Sequence, residues 1–467
     1  MRWIVLYAPL CVNKVTGLIG EFVIVSEQLL WWVWMRIAVI GSGISGLASA
    51  FLLREYAEVH LFETAARLGG HSHTVEVQFA ETSVPVDTGF IVYNPLNYPN
   101  LIALFDALDV PNQDSDMSFS VSVGNGAMEY EGSISGLLAQ PSNLAKPRYW
   151  SMLADLVRFY RTAPRHAYAG AADETLGAFV RRQNYGDAFV NDHLIPMGAA
   201  IWSADTAGMM AFPVRSFMRF MENHKLLNFI DRPQWRTVSG GSCEYVKRIA
   251  AAIGKNIHLS TDVVAVRRAQ GGVMLTIEGQ GDVWFDKVVM AAHADQSLAM
   301  ISDASQQERD ILSAFRFQPN LAVLHSDPRL MPKRKGAWAS WNYMGYDAAQ
   351  NELCLTYWMN RLQSIDAAYP LFETLNPVIA PREELTHGSY HYRHPIFDAK
   401  AIATQPKMAQ IQGADYLFFA GAWTGYGFHE DGLKSAVAIA KTLGITPPWA
   451  SDVAAYDVMP SPFQRIG

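Results

Sequence analysis

The run Gly41-Ser42-Gly43-Ile44-Ser45-Gly46, placed directly after the apolar stretch Arg36-Ile37-Ala38-Val39-Ile40, constrains this chain more than any other feature. The apolar stretch reads as a short buried strand, and the residues after Gly43 read as an apolar helix through about Leu53. A second strand, Val59-His60-Leu61-Phe62, ends at Glu63, 22 residues beyond Gly41. Strand, glycine turn, helix, strand and acid together form a dinucleotide fingerprint in its working context. Gly41 permits the tight turn, Gly43 lets the backbone approach a diphosphate, and Gly46 lets the helix pack against the strand. The helix start offers free N–H groups and a partial positive charge to phosphates. Glu63 is placed to accept hydrogen bonds from a ribose.

Composition narrows the classes around that motif. With 467 residues the chain is long enough for two joined domains. Half the residues are hydrophobic and 17% charged, as in a folded protein. A net charge of −7 supplies no concentrated basic face, so nucleic acid is not an expected partner. Cys11, Cys243 and Cys354 are scattered, with neither disulfide nor metal-ligand spacing, which fits a reducing cytoplasm. The thirteen histidines form no ligand set, and no metal is expected.

Residues 1–34 are rich in Trp, Val and Leu but are interrupted by Lys14, Glu21 and Glu27. They make a poor membrane span and lack a signal-peptide cleavage site. Two readings stand: an accessory extension ahead of a natural start at Met35, or an anchor on a membrane surface. A cytoplasmic protein is expected, peripheral on the inner face of the membrane under the second reading.

Arg67-Leu68-Gly69-Gly70-His71 follows the acidic strand and resembles the Arg-x-Gly-Gly signature of the amine-oxidase and phytoene-desaturase superfamily of flavoproteins. This chain has His71 where that pattern continues with a second arginine, which leaves one phosphate contact without its usual donor. Val86-Asp87-Thr88-Gly89 is similar to the family's Asp-x-Gly turn beside the flavin. Thr237-Val238-Ser239-Gly240-Gly241 resembles its later glycine pair, and Val263-Val264 the stretch whose backbone meets adenine. Tyr416 to Gly421, with Gly425, Gly427 and Asp431-Gly432-Leu433, resembles its last signature; Asp431 reads as an N-cap for a helix starting near Gly432. Ala422 stands where relatives often carry a glutamate.

The resemblance implies one FAD, held non-covalently by Gly41, Gly43, Ile44, Ser45, Gly46, Glu63, Arg67, Gly69, Gly70, His71, Thr88, Gly89, Val263, Val264, Gly421, Ala422, Gly432 and Leu433. The fold class implied is α/β, a split Rossmann-like FAD-binding domain of the glutathione-reductase type interleaved with an α+β substrate domain. The expected boundaries are 35–94, 231–298 and 401–467 for the FAD-binding domain, with 95–230 and 299–400 for the substrate domain. Helical stretches are expected near Tyr98–Leu108, Tyr149–Tyr160 and Ala211–Asn228. His387, His391 and His394 fall in what reads as a polar segment.

A narrower resemblance rests on five stretches: Met117–Val121, Pro196–Ser203, Asp231–Thr237, Ala339–Tyr343 and Gly425–Gly432. They are similar to a bacterial group of predicted FAD/NAD-binding oxidoreductases, often encoded beside cyclopropane-fatty-acid-synthase-like methyltransferases. That implies oxidation or desaturation of a hydrophobic substrate such as a modified fatty acyl chain of membrane lipid, with such a methyltransferase as a partner. Trp423, Tyr426 and His429 lie nearest the ring by motif position. Tyr426 and His429 are the catalytic candidates, able to pass protons; His429 also reads as a hydrogen-bonding prop of the glycine-rich loop. Two alternatives remain: a flavin amine oxidase, and a flavin-containing partner of a lipid methyltransferase with little turnover of its own. No lysine occurs between Lys287 and Lys333, where amine oxidases often place one near the flavin. Lys146-Pro147-Arg148-Tyr149-Trp150, with Arg158, Arg161 and Arg165, reads either as a membrane-docking face or as a solvated helix face with buried aromatics.

Overall fold

The computed structural model describes residues 35–228, 232–346 and 354–449. Expectations placed on residues 1–34, on Asp231 and on 450–467 lie outside them. The apolar run after Arg36 forms strand β1 (Arg36–Ile40), whose last four residues are all buried. It leads into helix α1 (Ile44–Leu53), every residue of which is buried, and then into β2 (Glu58–Phe62). β1 is central in a five-stranded parallel sheet. Val39 lies opposite Leu61 on one side and Val289 on the other, and Val289 in turn lies opposite Phe418. The outer strands, Ile257–His258 and Leu417–Phe419, arrive from far along the chain. Strands covered on both faces need continuous apolar runs, as in Ile37–Ile40, Val288–Met290 and Leu417–Phe419.

α1 packs on one face of the sheet beside the helix His429–Thr442, sharing a core of Leu47, Ala50, Leu433, Ala436 and Val437. The other face is covered by the three-stranded meander Val263–Ala269, Gly272–Ile277 and Gly281–Phe285, through Val266, Leu275 and Phe285.

A second sheet of seven strands collects pieces from both long insertions. Phe119–Val123 runs parallel to Trp341–Gly345, and every other pairing in that sheet is antiparallel. Its longest strand is Thr386–Ile396, the stretch whose His and Tyr content reads as a polar segment. The aromatic side chains pack there as apolar bodies with polar tips, so a strand forms without an aliphatic pattern. Helices Pro147–Ala169 and Val214–Asn223 and the continuous turns 187–202, with a π-helical step at Val190–Leu194, cover this sheet. The first of these extends well past the expected Tyr149–Tyr160, through Pro164.

Two short ribbons tie the sheets together. Asp87 ends the ribbon Thr74–Gln78/Ser83–Asp87 and is fully buried. It accepts hydrogen bonds from Ser242 N–H (2.9 Å), Ser242 Oγ (2.7 Å), Thr74 Oγ1 (2.6 Å) and Gln363 Nε2 (3.0 Å). Four donors satisfy this carboxyl, yet burial outweighs their pull and leaves it raised to about 6. Among the described residues no helix is long and apolar enough to cross a membrane.

Candidate functional site

The glycine turn has the geometry its chemistry requires. Gly41 adopts φ +102°, and a Cβ there would sit 2.8 Å from the Ala291 carbonyl oxygen. A Cβ on Gly46 would sit 1.8 Å from the Gly41 carbonyl oxygen, so α1 meets the turn only because that position has no side chain. Gly43 differs: a Cβ there meets nothing within 4 Å. That open space belongs to a cavity of about 780 Å³, toward the upper end of the range for ligand pockets.

The cavity joins the two sheets. From the parallel sheet it is lined by Gly41, Gly43, Ile44, Ser45 and Glu63, then by Gly69, Gly70, His71, Thr88, Gly89, Val263, Gly421 and Ala422. From the seven-stranded sheet and its helices come Trp202, Phe220, Trp341, Tyr357, Leu375 and Phe397. Met117, Ile201, Trp235, Trp341 and Tyr426 also line it, so each of the five stretches of the narrower resemblance reaches this one cavity.

Five of the expected cofactor residues do not line it, and each has a physical reason. Gly46 is buried behind the turn. Gly432 presses on α1, where a Cβ would lie 2.8 Å from Ile44 Cγ2, and Leu433 is fully buried in the helix core. Val264 is half-exposed on the meander, leaving Val263 as the lining residue of that pair. Arg67 is turned onto its own loop: its guanidinium donates to the carbonyls of Gly70 (2.9 Å) and Leu68 (3.3 Å). It shapes the glycine pair from behind.

Glu63 already serves the turn. Ser42 N–H and Ser42 Oγ donate to Glu63 Oε2 at 2.9 and 2.5 Å, while Oε1 accepts from Ala65 N–H at 2.9 Å. The α1 N-terminus carries no acidic residue in its own first turn, which leaves the N–H groups of that turn open to a phosphate. The later helix begins at His429, one turn ahead of the expected Gly432. Asp431 is therefore inside the helix, where Oδ2 accepts from the N–H groups of Tyr426 and Phe428, each at 3.0 Å. Glu430 faces away, accepting from Asn100 N–H, Asn100 Nδ2 and Leu101 N–H at the start of helix Pro99–Ala107, and burial pushes it up to about 7.

The two catalytic candidates sit in different surroundings. The Tyr426 ring lies in the aromatic part of the cavity, 5.9 Å from Phe220. His429 stacks on Phe90 at 3.6 Å between centroids, and its Nε2 is 2.8 Å from Ser72 Oγ and 3.3 Å from the Tyr245 hydroxyl. Burial pushes this histidine down to about 3, so it is neutral at physiological pH.

His71, an expected cofactor residue, faces the cavity together with groups the sequence did not single out for the site. His71, His293 and His394 converge, with His71 5.4 Å from His394 and 6.3 Å from His293 between centroids, and Tyr392 5.0 Å from His71. Burial holds all three histidines neutral, helped by neighbouring histidines at His71 and His394 and by Arg393 at His293, with His293 and His394 at about 4. His71 Nε2, His293 Nδ1, Trp202 Nε1 and Trp341 Nε1 are buried without a hydrogen-bond partner. Buried donors and acceptors normally have partners; a polar ligand in the cavity would supply them. Among the described residues no three His, Cys, Asp or Glu side chains converge as metal ligands.

Glu373, on strand Phe372–Leu375, is the other. It is 2% exposed and lines the cavity, and its carboxyl receives no hydrogen bond from any described residue. Burial, with Asp87 as a like-charged neighbour, pushes it up to about 8. Its cross-strand neighbour is Tyr357, which also lines the cavity. The one sequence signal at Glu373 is a charge amid the apolar residues Leu371, Phe372 and Leu375, which marks an unusual strand position but not the cavity wall it faces.

The open space at Gly43, the open helix start, Glu63 at the turn and the unpartnered nitrogens suit a dinucleotide with a polar ring system. Comparisons with known proteins agree. The model of the flavin-containing amine oxidoreductase family matches residues 44–443. A CLA-producing fatty acid isomerase from P. acnes is similar in fold, with TM-score 0.62 and 14% identity, covering 88% of this chain and 99% of its own. Cyclohexylamine oxidase from Brevibacterium oxydans IH-35A gives 0.63 and 16%, covering 88% and 99%. A reduced UDP-galactopyranose mutase gives 0.63 and 14%, covering 89% and 97%. The chain belongs to the flavin-containing amine oxidoreductase family and is an FAD-dependent oxidoreductase.

Proposed function

We propose that this enzyme oxidises or desaturates a hydrophobic substrate such as a modified fatty acyl chain of membrane lipid. The observation that carries the reading is the continuity of one cavity, from the glycine turn to a compartment walled by Trp202, Phe220, Trp341, Leu375 and Phe397. Such a wall gains free energy by taking apolar surface from water and excludes solvent from the reaction. The parallel sheet then serves as a split Rossmann-like FAD-binding domain of the glutathione-reductase type, built from 35–94, 231–298 and 401–467. Residues 95–230 and 299–400 form the α+β substrate domain.

FAD supplies the two-electron acceptor chemistry when bound. The protein's part is positioning and proton handling. Gly41, Gly43 and the first turn of α1 would hold the diphosphate, and Glu63 the ribose. His429, neutral and engaged by Ser72 and Tyr245, fixes the start of the last helix against the diphosphate loop. Tyr426 and Glu373 are the groups we assign to proton transfer with the substrate, Glu373 because its carboxyl faces the cavity without a partner.

Anaerobic addition of phospholipids with unsaturated or cyclopropanated chains should bleach the flavin band, and amines should not. One observation favours amine oxidation as a second reading: the Glu373 carboxyl faces the cavity, where a nearby ammonium group would draw it toward its ionised form. Against it, no lysine lines the cavity among the described residues. Bleaching by aliphatic or aromatic amines alone would select that reading. No bleaching by either class, with a lipid methyltransferase co-purifying, would leave a flavin-containing partner protein.

A further inference from the structure

Four large apolar side chains stand out from the surface within one short segment. Ile134 is 88% exposed, Trp150 54%, Leu138 52% and Leu144 43%. They share a rigid platform. Tyr149 is buried and donates from its hydroxyl to the Leu137 carbonyl (2.9 Å), and Trp150 Nε1 donates to the Leu144 carbonyl (2.9 Å). Leu137 packs inward while Leu138 points out.

The charge around them is predominantly positive, with Glu131, which accepts from Ser133 N–H at 3.0 Å, at the edge of the face. Residues 132–150 contain no Asp or Glu. Lys146 Nζ donates only to neutral oxygens, including Asn143 Oδ1 at 2.9 Å. The loop Lys333-Arg334-Lys335-Gly336 lies alongside, anchored through the N–H groups of Lys333 and Arg334 on Glu129. A Cβ on Gly336 would lie 3.7 Å from Ala139 Cβ. Arg148 and Arg334 are neutralised by the buried Asp192 and Glu129. Lys146, Lys333 and Lys335 have no acidic partner among the described residues, on a chain of net charge −7. Arg158 does not belong to this face; it stacks over Tyr185 and bonds the carbonyls of Gln183 and Asn184.

We propose that the face built by residues 133–150 and 333–336 docks on an anionic lipid bilayer. The apolar side chains enter the boundary between headgroups and acyl chains, Trp150 with its ring at the headgroup level. The three unpaired lysines contact anionic headgroups. Four side chains offer less than the roughly 800 Å² per partner that a standard protein interface buries. The inference is independent of whether the substrate is a lipid or an amine.

The test is co-sedimentation of the FAD-loaded full-length protein with sucrose-loaded vesicles, either phosphatidylcholine alone or an equal mixture with phosphatidylglycerol. Binding should require phosphatidylglycerol and weaken as salt is raised. K333E/K335E should lower the affinity at least on the order of 30-fold, and I134D/W150S should abolish binding, both with FAD content and Tm unchanged. Equal binding to the two vesicle types, no binding to either, or full binding by both variants would overturn it. Size-exclusion showing a dimer that I134D/W150S dissolves, without vesicle binding, would assign the face to self-association instead and equally overturn it.

Discussion

Gly43 and Gly46 sit three residues apart in one motif, and the structure gives them opposite jobs. At Gly43 the backbone has φ −64° and ψ 178°, open to any residue, and a Cβ would meet nothing within 4 Å. Gly43→Ala should therefore leave apoprotein stability within about 0.5 kcal/mol, since the entropy removed from the unfolded chain roughly balances the altered cap. The added methyl points into the space a diphosphate needs. Overpacking of that kind costs about 2 kcal/mol, so FAD affinity should fall roughly 30-fold. At Gly46 the Cβ would lie 1.8 Å from the Gly41 carbonyl oxygen, well inside contact distance, and 3.2 Å from Ala291 Cβ. Gly46→Ala must push α1 off the sheet, at a cost of about 3 kcal/mol. In a chain of 467 residues that lowers Tm by about 3 °C, from the usual unfolding entropy per residue. The assays are FAD titration by flavin fluorescence and thermal melts of the apoprotein. Wild-type FAD affinity in Gly43→Ala, or a Gly46→Ala apoprotein as stable as wild type, would refute the division of labour.

Three further outcomes follow from the site. Glu373 has its folded-state value raised from 4.5 to about 8, so the stability tied to its proton is complete below pH 4.5 and is lost as pH rises toward 8. Melts from pH 5 to 8 should show wild type losing stability relative to Glu373→Gln, by several kcal/mol over the window; parallel curves would contradict this. His429→Ala removes the Phe90 stack and the partner of Ser72 and Tyr245, costing about 2–3 kcal/mol in melts. If His429 is a prop, the pH profile of flavin reduction by the bleaching substrate keeps its wild-type shape; a lost ionisation would make the histidine a proton carrier. Arg67→Ala frees the Gly70 carbonyl and should weaken FAD about tenfold by isothermal titration, and Arg67→Lys, lacking the fork that reaches two carbonyls, should recover little of it.

The parallel sheet was readable in the sequence because each piece carried a local signal. Ile37–Ile40 is a continuous apolar run followed by glycines at fixed spacing, Leu417–Phe419 is an apolar run followed by Gly421, and Val288–Met290 repeats the apolar run. The helix at His429 was placed one turn late because Asp431 has the chemistry of an N-cap; it instead accepts backwards, from Tyr426 and Phe428, inside the helix. Thr386–Ile396 was missed because histidine and tyrosine mask the apolar half of its pattern. In the site, residues whose backbone does the work, such as Gly41 and Gly43, were legible. Glu373, His293 and His394 were not, since their role depends on which wall of the cavity each side chain faces, and that is set by contacts between strands distant in sequence. Arg67 shows the same limit: its place in the motif was right, but its guanidinium serves the Gly70 carbonyl and not the cavity.

The most direct test is the visible spectrum of the purified full-length protein, with chromatography of the nucleotide released on denaturation. A yellow protein that yields one FAD per chain, free of covalent attachment, is the predicted result. A folded protein that is colourless, takes up no added FAD and releases none would contradict the account.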